Sequence, residues 1–258
     1  YPRRLHVDLG LKGKVALVTG ASRGIGNRIA LALAAEGADL CICGRTEETL
    51  EAAAEELRKA GGDVETFVGD ITATEGANAF VAAAKARFGD QIHVLINNVG
   101  GSVWSPFAEI TDEEWLHVFN LSFFSAVRVS RAAFPGLEAG GGSIVNVSSI
   151  FGRENGGPIS YNAAKSAMIS MSSNLAIEAT KKGIRVNSVH PDGINTPMTQ
   201  ALTGGQPIPQ DVLDADPMNR MAAPRDIANV VLFLASDESR FINGAEIRVD
   251  NGQLISGL

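Results

Sequence analysis

Tyr161 and Lys165 lie four residues apart in the sequence and are side chains that together could move a proton. Residues four apart on a helix share a face, so in a helical segment the Lys165 ammonium would lie near the Tyr161 phenol. A phenol has a pKa near ~10, and a cation within ~4–6 Å can lower such a pKa by ~1–3. The pair therefore predicts that Tyr161 donates and accepts a proton, although the same spacing is also found in an exposed tyrosine and lysine on an ordinary helix.

A glycine-rich turn near the N-terminus predicts a phosphate site. Positions 19–26 read TGASRGIG and separate an apolar run from a segment rich in Ala and Leu. Glycines in such a turn allow a tight bend, let the backbone approach a pyrophosphate, and let the following helix pack closely on the strand. The N-terminus of that helix would face the anion, which indicates a dinucleotide ligand.

Short apolar runs alternate with Ala-rich segments of helical period along almost the whole chain. The pattern predicts strands at 14–19, 39–43, 64–68, 93–97, 143–148, 184–189 and 246–250, and helices at 25–37, 47–60, 74–88, 111–137, 161–182 and 226–236. Seven strands that alternate with helices require parallel crossovers, and nearly continuous apolar strands fit a sheet covered on both faces. We therefore expect a single α/β domain over residues 1–258, with a doubly wound Rossmann-type three-layer fold and a seven-stranded parallel sheet.

This fold locates the chemistry, because doubly wound sheets bind ligands outside the carboxyl ends of their strands, where the strand order reverses. An eight-stranded α/β barrel is the alternative α/β fold. Only seven strands can be counted, however, and the first of them ends in a phosphate-type turn. Thr111 and Glu114 have the spacing of a capping box and predict the start of the long fourth helix.

The glycine turn has the spacing G-x-x-x-G-x-G, which differs from the usual dinucleotide pattern G-x-G-x-x-G. Other motifs follow it in order: Asp70-Ile71 after the third strand, Asn97-Asn98-Val99-Gly100 after the fourth, Asn120 in the long helix, Val147-Ser148-Ser149 at the end of the fifth strand, and the Y-x-x-x-K of Tyr161 and Lys165. With these motifs the chain resembles the short-chain dehydrogenase/reductase family from about Leu11 to Gly252.

The resemblance implies specific roles. Tyr161 would exchange a proton with the substrate oxygen, Lys165 would tune Tyr161 and hydrogen-bond the nicotinamide ribose, and Asn120 would continue a proton relay through water. The cofactor would contact positions within the matching motifs, namely Gly20, Ser22, Arg23, Gly24, Ile25, Gly26, Arg45, Asp70, Ile71, Asn97, Gly100, Tyr161, Lys165, Pro191, Gly193, Ile194 and Thr196.

Two criteria for the catalytic serine of the family disagree by one residue. The usual distance of thirteen positions before the tyrosine selects Ser148, whereas the second hydroxyl of a Ser-Ser pair followed by a glycine selects Ser149. We predict Ser149, because the end of the strand sets the direction of the side chain whereas the loop 153–160 can absorb a deletion. Successive side chains on a strand face oppositely, so only one of the two hydroxyls should face the substrate.

The end of the second strand bears on which dinucleotide binds. NAD-dependent relatives usually place there an acidic residue that would repel a 2′-phosphate, and Gly44 occupies that place. Arg45 follows, and Arg23 in the glycine turn adds a second cation, so the two could clamp a phosphate. We expect NADP(H) to be preferred, with NAD(H) as the alternative if both arginines are simply solvated.

The segment after the sixth strand departs from the family pattern at one position, because Asp192 stands where glycine is usual. From about 198 to 221 the chain contains glycines and prolines without a long apolar period, which predicts a substrate lid. Trp104 and Phe151 follow strand ends and could line the pocket. Arg153 could contact an anionic substrate. An arginine in such a place more commonly pairs with a neighbouring carboxylate, here Glu154, or is exposed to solvent.

Composition excludes several partners. The formal net charge is −7, with 22 basic and 29 acidic residues, and the scattered cations disfavour nucleic-acid binding. No apolar stretch approaches the ~18 residues of a membrane span. The four histidines follow no metal spacing, so no metal site is expected. Cys41 and Cys43 are expected to be unbridged residues of the protein core, which indicates a reducing compartment. We therefore expect a cytoplasmic protein.

The leading functional hypothesis is an oxidoreductase, a carbonyl reductase or alcohol dehydrogenase that moves hydride between a nicotinamide and a ketone or secondary alcohol. A dinucleotide-binding regulator without turnover is an alternative from another class, and an epimerase or dehydratase that uses bound cofactor transiently is a third hypothesis. The resemblance also implies a homotetramer with the long helices that begin near Thr111 and Tyr161 at its interface.

Overall fold

A parallel sheet with the strand order β3-β2-β1-β4-β5-β6-β7 forms the centre of the computed structural model, which describes residues 7–202 and 221–252. The strands are β1 Val15–Thr19, β2 Asp39–Gly44, β3 Val64–Val68, β4 Val94–Asn97, β5 Ser143–Val147, β6 Arg185–Pro191 and β7 Glu246–Val249. All of these strands pair in parallel. The expected doubly wound Rossmann-type fold is confirmed, and the barrel alternative is excluded.

The helices of the described residues occupy both faces of this sheet. They are α1 Gly24–Ala35, α2 Glu47–Ala60, α3 Thr74–Phe88, α4 Asp112–Phe119, α5 Ser125–Gly140, α6 Ile159–Thr180, α7 Pro197–Leu202 and α8 Pro224–Ala235. The bounds predicted for α2 and α3 from the sequence agree with the structure. The helix predicted at 111–137 is instead divided, because a π-helical turn, Asn120–Phe124, separates α4 from α5.

The start of α4 is the predicted capping box. The backbone N–H of Glu114 donates to Thr111 Oγ1 at 3.2 Å, and the backbone N–H of Thr111 donates to Glu114 Oε2 at 2.9 Å. The first turn of a helix leaves its N–H groups without intrahelical partners, and this reciprocal pair satisfies two of them. A local signal of this kind needs no tertiary context, which is why the sequence located it.

Two hydrophobic cores lie on the two faces of the sheet. One contains Ile29 and Leu33 of α1 with Ile227 and Val231 of α8. The other contains apolar side chains of α3 and α5, together with Cys41 and Cys43. Both cysteines are buried free thiols that form no disulfide with each other. Burial raises the pKa of the Cys43 thiol to about 12. They are therefore packing residues in a three-layer arrangement.

The carboxyl ends of all seven strands lie at one edge of the sheet. Beside β1 the chain order reverses, because β1 pairs with β2 on one side and with β4 on the other. In open α/β sheets the crevice at this reversal is where ligands bind. No helix in the described ranges is both long and apolar enough to cross a membrane.

Phe80 provides a test of the core between α3 and the sheet. Its side chain is fully buried, and its ring centroid lies 5.9 Å from that of Phe67. Phe80→Ala is expected to lower the free energy of unfolding by ~3–5 kcal/mol, because the cavity left by the ring cannot close fully. Urea denaturation measures the change. Phe241→Ala, at a site that is 99% exposed, should change it by less than ~0.5 kcal/mol, and equal losses would contradict this assignment of the core.

Candidate active site

A cavity of about 520 Å³ opens at the carboxyl edge of the sheet, a size within the range of small-molecule sites. Most of the site residues predicted from the sequence line it: Gly20, Ser22, Arg23, Gly24, Ile25, Arg45, Asp70, Ile71, Gly100, Ser149, Tyr161, Lys165, Pro191, Gly193, Ile194 and Thr196. The predicted residues Gly26, Asn97 and Asn120 lie outside the lining.

The glycine turn has the backbone that the sequence requires. Gly20 and Gly24 have φ of +66° and +64°, in the left-handed region that other residues avoid. Gly26 serves packing, since a Cβ there would overlap the carbonyl oxygen of Gly20 and the amide of Asn98. The turn therefore presents its backbone to the cavity, with the N-terminus of α1 directly behind it.

Asn98 and Thr19 hold this turn in place, and sequence reasoning assigned neither of them a role. Asn98 Nδ2 donates to the carbonyl oxygens of Thr19 at 3.1 Å and Gly20 at 3.2 Å. The hydroxyl of Thr19 accepts from the backbone N–H groups of Asn98 at 2.8 Å and Val99 at 3.2 Å. The turn after β1 and the segment after β4 are thus tied together. The position of Asn98 in the N-N pair was the available signal.

Asn97, predicted at the cofactor, points instead into a buried polar network. Its Nδ2 donates to Asn146 Oδ1 at 2.8 Å and to Ser130 Oγ at 3.0 Å, and Asn146 Nδ2 donates in turn to Ser172 Oγ at 2.8 Å. The network connects β4 and β5 with α5 and α6. Asn97 and Asn98 face opposite ways because they are successive residues at the end of a strand.

Ser149, Tyr161 and Lys165 all line the cavity. Lys165 Nζ lies 5.6 Å from the centroid of the Tyr161 ring, as their spacing on α6 predicts. It donates to the carbonyl oxygen of Val147 at 2.8 Å, and its side chain is only 2% exposed. The buried Lys165 amine thus lies against the end of β5, two residues before Ser149.

Burial governs the proton affinities of this group. It raises the pKa of Tyr161 to about 12, and a hydrogen bond with Ser149 acts in the opposite direction. It lowers the pKa of Lys165 to about 7, because the charged form loses hydration. The sequence predicted a lowered pKa for Tyr161, and the direction here is the reverse because burial of the phenol outweighs its hydrogen bond with Ser149.

The two serines at the end of β5 have different partners. Ser148 Oγ donates to the carbonyl oxygen of Lys165 at 3.1 Å and is thereby bound to the α6 backbone. The Ser149 hydroxyl accepts from the backbone N–H of Phe151 at 3.2 Å and is hydrogen-bonded to Tyr161. Both serines line the cavity, but Ser149 is the one that meets the phenol.

Asn120 begins the π-helical turn, and its side chain is hydrogen-bonded to Arg128, a residue outside the cavity lining. Its Oδ1 accepts from Arg128 Nη2 at 3.2 Å, and the Arg128 guanidinium lies 5.2 Å from the centroid of the Phe124 ring. The next residue, Leu121, does line the cavity. The side chain of Asn120 is thus bound to Arg128, and Asn120 is not among the residues that line the cavity.

Arg23 and Arg45 lie at the end of the cavity formed by β1 and β2. Within the described ranges neither forms a salt bridge. Asp70 is on the same side, where a hydrogen bond from the Thr72 backbone is the main reason that its pKa is lowered, and Arg45 contributes as well. Gly44 leaves no carboxylate at the end of β2.

The segment after β6 returns toward the glycine turn. A Cβ added to Gly24 would lie 3.8 Å from the Thr196 side chain, so the two segments come into contact where both line the cavity. The backbone N–H of Ala222 donates to the carbonyl of Gly193 at 3.0 Å. The lid predicted at about 198–221 falls mainly on residues 203–220, which lie outside the described residues.

Arg153 pairs with Glu246, not with Glu154. Its Nε and Nη2 donate to the two carboxylate oxygens of Glu246 at 3.1 and 2.6 Å. Glu246 belongs to β7, so the partner could not be found from neighbouring residues. Among residues 7–202 and 221–252, no three His, Cys, Asp or Glu side chains are grouped as metal ligands would be.

Comparison with known proteins identifies relatives over nearly the whole chain. The family model described as enoyl-(acyl carrier protein) reductase matches residues 20–253. A 3-oxoacyl-[acyl-carrier-protein] reductase, FabG, from Thermotoga maritima is 35% identical over 95% of this chain and 99% of its own length. A 2,5-dichloro-2,5-cyclohexadiene-1,4-diol dehydrogenase, LinX, from Sphingobium indicum is 38% identical over 94% of this chain and 96% of its own length.

The crystal structure of an L-sorbose reductase from Gluconobacter frateurii, complexed with NADPH and L-sorbose, is similar in fold. It is 34% identical in sequence and has a TM-score of 0.88, over 98% of this chain and 100% of that one. These similarities cover the sheet, the glycine turn and the cavity together.

Asn97 and Asn98 allow the two positions to be tested separately. Asn97→Ala is expected to lower the free energy of unfolding by ~1–3 kcal/mol, since buried partners lose a hydrogen bond, with little change in the dissociation constant for NADPH. Asn98→Ala should raise that dissociation constant by roughly tenfold, because two hydrogen bonds hold the glycine turn. Urea denaturation and fluorescence titration measure the two effects, and weaker NADPH binding in the Asn97 variant than in the Asn98 variant would contradict the assignment.

Proposed function

The chain belongs to the short-chain dehydrogenase/reductase family of oxidoreductases, and on that premise we propose that it transfers hydride between NADP(H) and a ketone or secondary alcohol, with Tyr161 as the acid and base. The observation that carries the proposal is the meeting of Ser149, Tyr161 and Lys165 in the cavity that also contains the glycine turn. A fold alone would not support an activity, whereas this set of side chains does.

The residues present fit a dinucleotide. Gly26 has no room for a side chain, and Gly20 and Gly24 have left-handed backbones that let the turn pass close to a pyrophosphate. Gly100 faces Lys165, so the ribose end of a dinucleotide would find a donor there. When bound, the nicotinamide supplies or takes up the hydride. The chain supplies the proton and the orientation.

In the reductive direction Tyr161 would donate its phenolic proton to the substrate oxygen. A pKa of about 12 means that the phenol is protonated at neutral pH, which is the state that a donor needs. Ser149, hydrogen-bonded to Tyr161, would hold the same oxygen. Lys165 would bind the ribose and, while charged, favour the phenolate left after transfer. Asn120 would join a proton relay only through water, because its side chain is bound to Arg128.

The preference for NADP(H) is supported by charge at one end of the cavity. Arg23 and Arg45 both line it, and Gly44 leaves the end of β2 without a carboxylate. A 2′-phosphate would meet two guanidinium groups there, and β2 itself ends without a carboxylate. The complex of the related L-sorbose reductase with NADPH is consistent with this preference.

We further propose the homotetramer that the family resemblance implies. Leu116 on α4 is 61% exposed, and Ile177 on α6 is 72% exposed. Phe124, in the π-helical turn that follows α4, is also exposed. Apolar side chains of this size on neighbouring helices favour burial against another subunit.

Tyr161→Phe tests the proposed acid. We expect kcat for ketone reduction to fall by ~10²–10⁴, because the substrate oxygen loses its proton donor, while the dissociation constant for NADPH stays close to that of the wild type. The decrease in NADPH absorbance measures the rate.

Separate serine variants test which hydroxyl acts with Tyr161. Ser149→Ala should lose most of kcat/KM, while Ser148→Ala, which removes a bond to the α6 backbone, should lose far less. The larger loss in the Ser148 variant would overturn the assignment, and full activity of Tyr161→Phe would overturn the mechanism.

Arg45→Ala tests the cofactor preference. The dissociation constant for NADPH should rise by ~10–100-fold, because a charge-assisted hydrogen bond to the 2′-phosphate is lost, and that for NADH should change little. Arg28→Ala removes an exposed arginine of α1 outside the cavity lining and is the matched control. Equal weakening for NADH and NADPH would contradict a 2′-phosphate site.

A further inference from the structure

The two ends of the cavity differ in charge. The end formed by β1 and β2 carries Arg23 and Arg45. The other end, formed by the segments after β4, β5 and β6, is lined by the apolar side chains Trp104, Leu121, Phe151 and Pro158. Ser149 and Tyr161 lie between the ends, so a substrate whose oxygen reaches Tyr161 would place its remaining atoms against the apolar walls.

The nearby cations are already engaged by the protein. Lys165 is buried, donates to the carbonyl of Val147, and lies below the Tyr161 ring. Arg153, which follows the loop after β5, is bound by both carboxylate oxygens of Glu246. Among the described residues that line the apolar end of the cavity, none is therefore a cation available to a substrate anion.

A carboxylate lies at that end instead. Asp192 lines the cavity directly after β6, in the place where the family pattern has glycine. The register of β6 and β7, with Pro191 opposite Val249, brings Asp192 beside Asp250. Burial raises the pKa of Asp192, and repulsion from Asp250 adds to this, while a hydrogen bond from the Gly193 backbone acts in the opposite direction. Two carboxylates thus lie close together at this end, and one of them, Asp192, lines the cavity.

We propose that the substrates are uncharged, largely apolar ketones or secondary alcohols, and that Asp192 excludes those that carry a carboxylate or phosphate. The inference rests on the proposed function and adds the substrate class. An anion would lose its hydration among apolar walls and gain a like charge nearby, and the described lining residues of that end offer no free cation in compensation. A neutral ring would contact the Trp104 and Phe151 side chains. Specificity would then come both from exclusion of anionic substrates by Asp192 and from binding of neutral substrates by the apolar side chains.

The test compares two ketones that differ almost only in charge, 4-oxocyclohexanecarboxylate and its methyl ester, with NADPH at about pH 8, where Asp192 and the free acid are ionised. The wild type should show a kcat/KM for the ester that exceeds that for the acid by ~10–100-fold, from one or two like charges at short range. Calorimetry with the NADPH-loaded Tyr161→Phe variant should give a similar ratio of dissociation constants without turnover.

Asp192→Asn should reduce the ester-to-acid ratio by about tenfold, because the side chain keeps its size and loses its charge. Asp192→Gly, which restores the family residue, should do the same and serves if the Asn variant folds poorly. Glu238→Gln removes an exposed carboxylate outside the cavity lining and should leave the ratio unchanged. Since each variant is judged by a ratio, a change in cofactor binding cancels.

The outcomes separate the two proposals. NADPH oxidation that is as fast with the acid as with the ester would overturn the neutral-substrate inference and leave the proposed function intact. An ester preference that persists unchanged in both Asp192 variants would overturn the role of Asp192. Failure of every neutral and anionic ketone to oxidise NADPH, with NADPH still bound, would overturn the proposed function and this inference with it.

Discussion

The parallel direction of all seven strands is the constraint on which the rest of the structure depends. It brings the carboxyl ends of β1, β4, β5 and β6 to one edge, so the glycine turn, Asn98, Ser149 and Asp192 approach one another from segments far apart in the chain. A parallel sheet needs helical crossovers, and those helices form the two cores that hold its edge rigid. Side chains on such a frame would require little reorganisation when a ligand binds.

Low polarity inside this frame changes the chemistry of ordinary side chains. Lys165 is almost fully buried, so its charged form is penalised, while the neutral phenol of Tyr161 is favoured for the same reason. Few charged side chains therefore line the cavity. An acidic chain with a net charge of −7 places Arg23 and Arg45 at one end of its cavity and Asp192 at the other. A phosphate-bearing cofactor and an uncharged substrate would each meet a suitable end.

Two pairs of neighbouring residues show what the local sequence pattern can predict about a site and what it cannot. Asn97 and Asn98, and likewise Ser148 and Ser149, end strands whose existence was evident from apolar runs. Alternation along a strand requires the members of each pair to face oppositely. Which member faces the cavity depends on where α5, α6 and the glycine turn lie. For the serines the preferred residue does meet the phenol, whereas for the asparagines the side chain of Asn97 lies in a buried network and that of Asn98 holds the glycine turn.

The sequence by itself determined where the strands and most of the helices lie along the chain, the glycine turn, the capping box at Thr111 and the pairing of Tyr161 with Lys165, because each depends on residues within a few positions of one another. Only the tertiary structure decided features that depend on distant segments. The π-helical turn divides a helix predicted as continuous, Arg153 finds Glu246 on another strand, and Asp192 comes to lie beside Asp250. The raised pKa of Tyr161 belongs to the same group, because burial is a property of the assembled fold and not of local spacing.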